Sequence, residues 1–398
     1  MTQIKSIYTT EKIYFYLVNL SNRKINLMFS PNSASSFFQF YPYSLEFKKP
    51  AQTSRDTLYF KRGLFISLTW NEFTAWGEVS VIDSLSIDNV GRILLLLKKW
   101  QESAKNFTHI ADWFQFIDED DLSELPALIT GLEMVKYNMA NQSHLLYFPS
   151  PFTHGSMSIP INGLVWMGSY GEMQKQIDAK LSEGFTCIKL KIGAISWEDE
   201  YRLLSSLRNR YSADQLEIRV DANGAFTQTN VFSVMEQLHR LHIHSIEQPV
   251  AVNQWELMHE VVALRAVPVA LDEELIGKHT DYEMTKLLDA IRPDYVILKP
   301  SLIGGFSRSD QWILHAQKRN IKWWATSALE SNLGLNALSQ WAASRGPEIT
   351  HGLGTGSLYK QNVDSPLQIL NARLIHHPFW SGNIRDGIIP LVDQHFAI

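Results

Sequence analysis

CIKLKIG (187–193) sets two lysines, Lys189 and Lys191, two residues apart on a short apolar, β-rich run. A strand turns successive side chains to opposite faces, so both lysines point to the same side. Outward along the chain, similar runs each end on or near a charge. They carry Asp221 in RVDANGAF (219–226), Glu247 in SIEQPV (245–250), Asp272 in VALDEEL (269–275) and Lys299 in VILKPSLIGG (296–305). From Lys191 the successive gaps are 30, 26, 25 and 27 residues. One strand, one helix and two loops take about that much chain, and parallel strands need such crossovers. If each charge ends one parallel strand, all five converge on one face of a barrel, where (β/α)8 barrels place their chemistry.

The rest of the chain fits that frame. Strands are expected near 160–167, 187–192, 216–222, 243–248, 268–273, 295–300, 322–327 and 349–353, which makes eight. Amphipathic stretches such as WEDEYRLLSSLRNRY and YEMTKLLDAI lie between them, with Ser196 and Thr280 placed as helix N-caps. Before Leu122 the rhythm differs. KIYFYLVNL (12–20), GLFISLTW (63–70) and TAWGEVSVI (74–82) alternate as antiparallel strands, and a helix follows over about 87–105. The expected fold class is α/β: a (β/α)8-type, modified TIM barrel with an N-terminal α+β capping domain. The expected division is a cap over 1–121, the barrel over 122–354, and a C-terminal segment, 355–398, that returns to the cap.

Composition narrows the function. At 398 residues and 45% hydrophobic, the chain can bury a large core. A formal net charge of −5 leaves no basic footprint for nucleic acid, so the 12 tryptophans read as packing residues. No apolar run approaches a membrane span, and the first 20 residues lack a signal-peptide pattern. Cys187 is the only cysteine, which suits a cytoplasmic protein and a buried strand position rather than a nucleophile. The expected partner is a small-molecule carboxylate, with no nucleic acid and no membrane; a homo-oligomer is compatible with the sequence.

The charges themselves suggest chemistry. Asp221, Glu247 and Asp272 offer oxygen only, with no Cys or His beside them, which suits Mg²⁺ or Mn²⁺ rather than structural zinc. A cation so held stabilises the enediolate formed when a proton leaves carbon beside a carboxylate. A lysine acting as base must be neutral, and a nearby cation and a second ammonium lower its pKa toward working pH. Any one of these charges reads equally well as a solvated loop residue; five in register at barrel spacing do not. By strand parity Glu273 and Gln248 point away from the site, while Arg219 points inward, as an ion-pair partner for the carboxylates. Ser327, Glu330 and Ser331 follow the seventh strand, where a loop meets substrate, although capping of the next helix explains them too. The glycines of HGLGTGS (351–357) allow backbone N–H groups to approach an anion or simply to turn.

The order KLK, DANG, EQP, DE, LKP resembles the enolase superfamily, specifically its muconate-lactonizing subgroup and, within it, the o-succinylbenzoate synthases of menaquinone biosynthesis. RDTLYF (55–60), WGE (76–78), IPINGLV (159–165), TSALESNLG (326–334) and HGLGTGSL (351–358) extend the resemblance over about residues 55–360. It implies Asp221, Glu247 and Asp272 as ligands of Mg²⁺, with Mn²⁺ an alternative. It implies Lys191 as the base and Lys299 as the opposite lysine, with Lys189, Arg219, Ser327, Glu330 and Ser331 toward the substrate. The implied reaction is a dehydration that yields o-succinylbenzoate. N-succinylamino acid racemase, dipeptide epimerase and muconate cycloisomerase are alternatives on the same scaffold. GTGSLYK lacks the Asp-x-Asp that dipeptide epimerases share, and KWWATSALES has no His for mandelate-racemase-like chemistry.

Overall fold

The computed structural model describes residues 37–393 apart from 53–56, 194 and 347–348. The strand expected at 12–20 lies outside the described residues. Three antiparallel strands, β1 (Phe37–Gln52), β2 (Thr57–Trp70) and β3 (Phe73–Ser80), form a sheet in that order. The β2–β3 turn leaves two residues between the paired Trp70 and Phe73, and Asn71 supplies the positive φ (55°) such a turn needs. β1 was not expected. Pro42 and Pro50 interrupt its alternation, and it lies at the sheet edge, where proline is tolerated.

One face of this sheet buries Phe38, Leu64, Ile66 and Leu68 against Leu97, Trp100 and Trp113 of the helices Val90–Ala104 and Ile110–Asp118. The helix Pro126–Asn141 adds Leu128, Leu132, Val135 and Met139 to that cluster, while its Met134 joins the barrel core. It sits on β3 at a glycine crossing. A Cβ on Gly77 would lie 2.2 Å from the Gly131 carbonyl oxygen, so only glycine permits the approach.

β4 (Ile159–Pro160) leads into seven parallel strands: β5 (Gly163–Val165), β6 (Cys187–Lys191), β7 (Glu217–Asp221), β8 (Ser245–Glu247), β9 (Val269–Leu271), β10 (Tyr295–Leu298) and β11 (Lys322–Ala325). They pair in sequence order. The eighth position contributes only His351 and Gly352, yet it closes the ring. His351 bridges Ile161 and Gly352 bridges Thr326, both in parallel, and the Gly352 N–H donates to the Ala325 carbonyl at 2.9 Å. Ile188, Leu190, Val220, Ile246 and Leu298 alternate with the inward charges and pack in the large core that includes the surrounding helices, while Ala270, Ile297 and Trp324 form a separate small cluster inside the ring. Helices cross between successive strands, and both expected caps form: Ser196 accepts from the Asp199 N–H at 3.2 Å, and Thr280 sits in a reciprocal capping box with Glu283.

No α-helix follows the eighth position before residue 384. A 3-10 turn (Thr355–Leu358) precedes the hairpin β12 (Leu367–Leu370) and β13 (Arg373–His376), and β13 pairs with β4. The same segment meets the first sheet, where Tyr359 bridges Phe47 and Val392 bridges Tyr43. Among the described residues no helix is long and apolar enough to cross a membrane.

Candidate active site

Strand register brings the charges together. Lys191 lies beside Asp221 and Asp221 beside Glu247 on the neighbouring strands β6, β7 and β8. Asp272 and Lys299 immediately follow β9 and β10. The Lys189 ammonium donates to Glu247 and sits 2.9 Å from Asp221. Lys191 donates to Asp221 at 2.8 Å and to the Asn223 side-chain oxygen at 2.7 Å. Lys299 donates to Asp272 and lies 3.9 Å from Glu247 Oε1. Asp221, Glu247 and Asp272 are all buried, which is tolerable only because opposite charges are packed beside them.

Burial alone would lower the Lys299 pKa, but the charges of Asp272 and Glu247 outweigh it and hold it raised. Lys189 behaves alike: burial is outweighed by Asp221 and Glu247. Burial and then the charge of Asp221 push Glu247 well above the usual carboxylate range. For Asp221 burial is the largest influence, yet Lys189 and Lys191 overcome it and leave its pKa depressed.

A cavity of about 520 Å³ opens at this end of the barrel. Lys189, Lys191, Lys299 and Glu273 bring charge to it and Asn223 a neutral amide, with Ser327, Gly352, Gly354 and Thr355 beside them. Leu58 and residues 82–85 of the N-terminal sheet region line the same cavity. The three strand-end acids are held against the lysines and do not line it.

The donor set fits a divalent cation in kind: three carboxylates on neighbouring strand ends, with Glu247 Oε1 buried and lacking a hydrogen-bond donor. Asp221 Oδ2, Glu247 Oε2 and Asp272 Oδ2 lie against ammonium groups, and Asp221 Oδ1 accepts from the Asn223 N–H at 3.2 Å. Among the described residues no three acids, imidazoles or thiols surround a common point.

Comparisons with known proteins identify the family. Residues 172–376 match the model of the enolase C-terminal domain-like family. The chain is 43% identical to the o-succinylbenzoate synthase of Desulfotalea psychrophila over 349 residues, 82% of this chain and 95% of that one. The crystal structure of MenC from the same organism superposes with a TM-score of 0.77 at 38% identity, covering 86% of this chain and 99% of that one. A dipeptide epimerase from Cytophaga hutchinsonii, solved with Mg and the dipeptide D-Ala-L-Val, shares the fold at a TM-score of 0.73 and 16% identity, over 86% and 92% of the two chains. The chain belongs to the o-succinylbenzoate synthase family of the enolase superfamily.

Against that family frame, the five residues expected toward the substrate divide. Lys189 and Ser327 line the cavity, and Arg219, Glu330 and Ser331 do not. Arg219 does point inward, but it pairs with Glu217 at 2.6 Å rather than with the strand-end acids. It also donates to the Thr350 carbonyl at 2.9 Å and lies 4.3 Å over the Trp324 ring. Glu330 is buried and accepts from Ser301 at 2.7 Å and Ser327 at 2.6 Å, so it holds a cavity-lining hydroxyl in place. Ser331 caps the helix Asn332–Ser344 and donates to Glu78 of the WGE run.

Parity failed for Glu273. β9 ends at Leu271 and residues 273–275 form a 3-10 turn, so strand alternation no longer applies and the carboxylate turns into the cavity. There it accepts from the Asn223 amide at 2.9 Å, which links Glu273 through Asn223 to Lys191. Gln248 does point away; its amide oxygen accepts from the Asp272 and Glu274 N–H groups. Cys187 is buried, and burial pushes its thiol pKa up, as befits an inert strand residue.

Proposed function

We propose that this chain dehydrates 2-succinyl-6-hydroxy-2,4-cyclohexadiene-1-carboxylate to o-succinylbenzoate. The observation that carries the reading is the pair Lys191 and Lys299, which reach one cavity above three strand-end carboxylates. The 43% identity to a synthase over most of both chains supports it.

In this reading Asp221, Glu247 and Asp272 hold Mg²⁺ or Mn²⁺. When bound, the ion supplies Lewis-acid stabilisation of the negative charge that develops on the substrate carboxylate. Lys191, unprotonated, takes the proton from the ring carbon that bears the carboxylate. The C–O bond to the ring hydroxyl breaks, the departing oxygen takes that proton back from Lys191, and water leaves as the ring becomes aromatic. Lys299 stays protonated and faces the ring as a fixed cation, favouring the charged transition state without exchanging a proton. Asn223, itself held by Glu273, fixes the direction from which the Lys191 amine approaches.

A second reading draws on the same pair: two lysines in one cavity also suit proton transfer from one face of a carbon to the other, as in an N-succinylamino acid racemase. Purified protein offered both substrates separates them. The cyclohexadiene carboxylate should be consumed, read as loss of the near-ultraviolet absorbance of its acyl-diene chromophore. Racemisation of N-succinyl amino acids with the diene left untouched overturns the dehydratase reading.

A further inference from the structure

Ile82, Asp83, Ser84 and Leu85 line the active-site cavity but belong to no helix or strand, so the shape of this wall depends on what holds it. It closes on itself through one turn. The Leu85 and Ser86 N–H groups donate to the Ile82 carbonyl at 3.2 and 2.9 Å, and the Ile82 N–H donates to Ser86 Oγ at 2.9 Å. Ser84 takes a φ of 64°, a conformation that a residue with a Cβ keeps only where its surroundings hold it. Just beyond the turn, Asp88 accepts from the Ala127 N–H at 3.0 Å and anchors the far end.

The near end is held by Lys61 of β2. This lysine is 2% exposed, and its ammonium donates to the Val81 carbonyl at 2.5 Å and to the Arg62 carbonyl at 2.9 Å. Val81 is the residue immediately before the wall. Among the described residues no carboxylate pairs with this ammonium; Glu78, Glu330, Asp83 and Asp88 act on it only at longer range. Burial lowers its pKa to about 8, so at neutral pH it remains a charged donor. A buried cation without an ion-pair partner is costly, and an apolar side chain of similar size would serve the fold better. It would not hold the Val81 carbonyl.

We propose that Lys61 is a positioning residue for the active site: through the Val81 carbonyl it fixes the wall Ile82–Leu85 against which substrate binds, without itself lining the cavity. Only the choice of substrate for its kinetic test rests on the proposed dehydration. The groups assigned to the chemistry stand on or beside the barrel strands β6–β10, away from this contact. Loosening the wall therefore weakens binding more than it slows the chemical step.

Lys61→Met keeps most of the stem and removes the donor. Hydrogen exchange in the full-length enzyme should then run at least about tenfold faster at the Ile82, Leu85 and Ser86 amides, with the amides of β6–β8 unchanged. In the same variant KM for the cyclohexadiene carboxylate should rise about tenfold while kcat stays within about threefold. Lys61→Arg, which keeps a charged donor, should recover much of both effects. Unchanged exchange at those three amides, faster exchange spread over the barrel, a fall in kcat with KM unchanged, or an Arg variant no better than Met would each overturn the proposal. Should Lys61→Met not fold, Lys61→Leu takes its place; failure of both to fold would assign Lys61 to the fold alone and also overturn it. Wild-type enzyme that leaves the diene untouched would instead sink the proposed reaction, while the exchange comparison still decides the role of Lys61.

Discussion

Lys191 and Lys299 are chemically alike and electrostatically different. Lys299 is held cationic by the charges of Asp272 and Glu247, while Lys191 is shared between one carboxylate and the neutral amide of Asn223. In the proposed mechanism that asymmetry gives proton transfer to Lys191 and fixed charge to Lys299. Lys191→Arg should lower kcat roughly a thousandfold, the size of a lost general base. Lys299→Arg, which keeps the cation, should retain measurable dehydration; equal losses, read from the fall of the acyl-diene absorbance, would point to two-base chemistry. The convergence of Lys189, Lys191, Asp221, Glu247, Asp272 and Lys299 was legible because spacing and strand parity fix where a strand-end side chain goes. Glu273 was not legible: Asp272 already leaves strand geometry (φ −123°, ψ −83°), and one turn of 3-10 helix reverses the side that parity predicts. Glu330 and Ser331 were placed correctly after the seventh strand, but their partners come from distant segments, Ser301 and Glu78, which no local pattern reveals.

Between elements, Glu78 is the main polar tie. Its carboxylate leaves β3 and accepts from the Ser331 N–H at 2.9 Å, the Gly334 N–H at 2.8 Å and the Ser331 hydroxyl, capping a barrel helix from the N-terminal sheet. Tyr43 donates to it as well, at 2.5 Å. Glu78→Ala leaves these buried donors unpaired and should cost about 2–4 kcal/mol in denaturant unfolding; a loss below roughly 0.5 kcal/mol would show that the tie is not structural. Asp88 caps the helix Pro126–Asn141 through the Ala127 N–H at 3.0 Å, and burial raises its pKa to about 7. The folded state therefore holds this proton more tightly than the unfolded chain does. The stability it contributes is present below the ordinary aspartate range near pH 4 and is lost as pH rises through about 7. Asp88→Asn should flatten that slope and raise stability at pH 8 relative to wild type; an unchanged pH profile of unfolding would count against it. The sequence revealed the strands of the parallel sheet through their apolar runs and flanking charges. It hid β1, whose prolines mask its alternation, while the eighth strand, expected at 349–353, forms through the two bridging residues His351 and Gly352.

Across the whole molecule, the active-site cavity belongs to two parts of the chain. The barrel supplies the lysines, while Leu58 and residues 82–85 add to the wall of the same cavity, which in the proposed reaction helps exclude water. The helix Pro126–Asn141 buries Leu128, Leu132 and Val135 in the cluster of the N-terminal sheet, so that contact also carries stability. A chain beginning at Leu122 should lose catalysis and expose that apolar face, read as binding of a hydrophobic dye; retained turnover would contradict the role given to the N-terminal part. The change of rhythm near Leu122 falls between the antiparallel strands β1–β3 and the parallel strands that begin with β5. The helix that follows, assigned to the barrel from its sequence, divides its buried residues between the two clusters, with Leu128, Leu132, Val135 and Met139 in that of the N-terminal sheet and Met134 in the barrel core. The central claim, that three buried carboxylates and two lysines perform a metal-dependent dehydration, is tested most directly by following the absorbance of the cyclohexadiene carboxylate with purified enzyme before and after chelation. The account predicts turnover with Mg²⁺ or Mn²⁺, loss on adding EDTA, recovery when the ion is returned, and no recovery in Asp221→Asn. Undiminished turnover in the metal-stripped enzyme would contradict it.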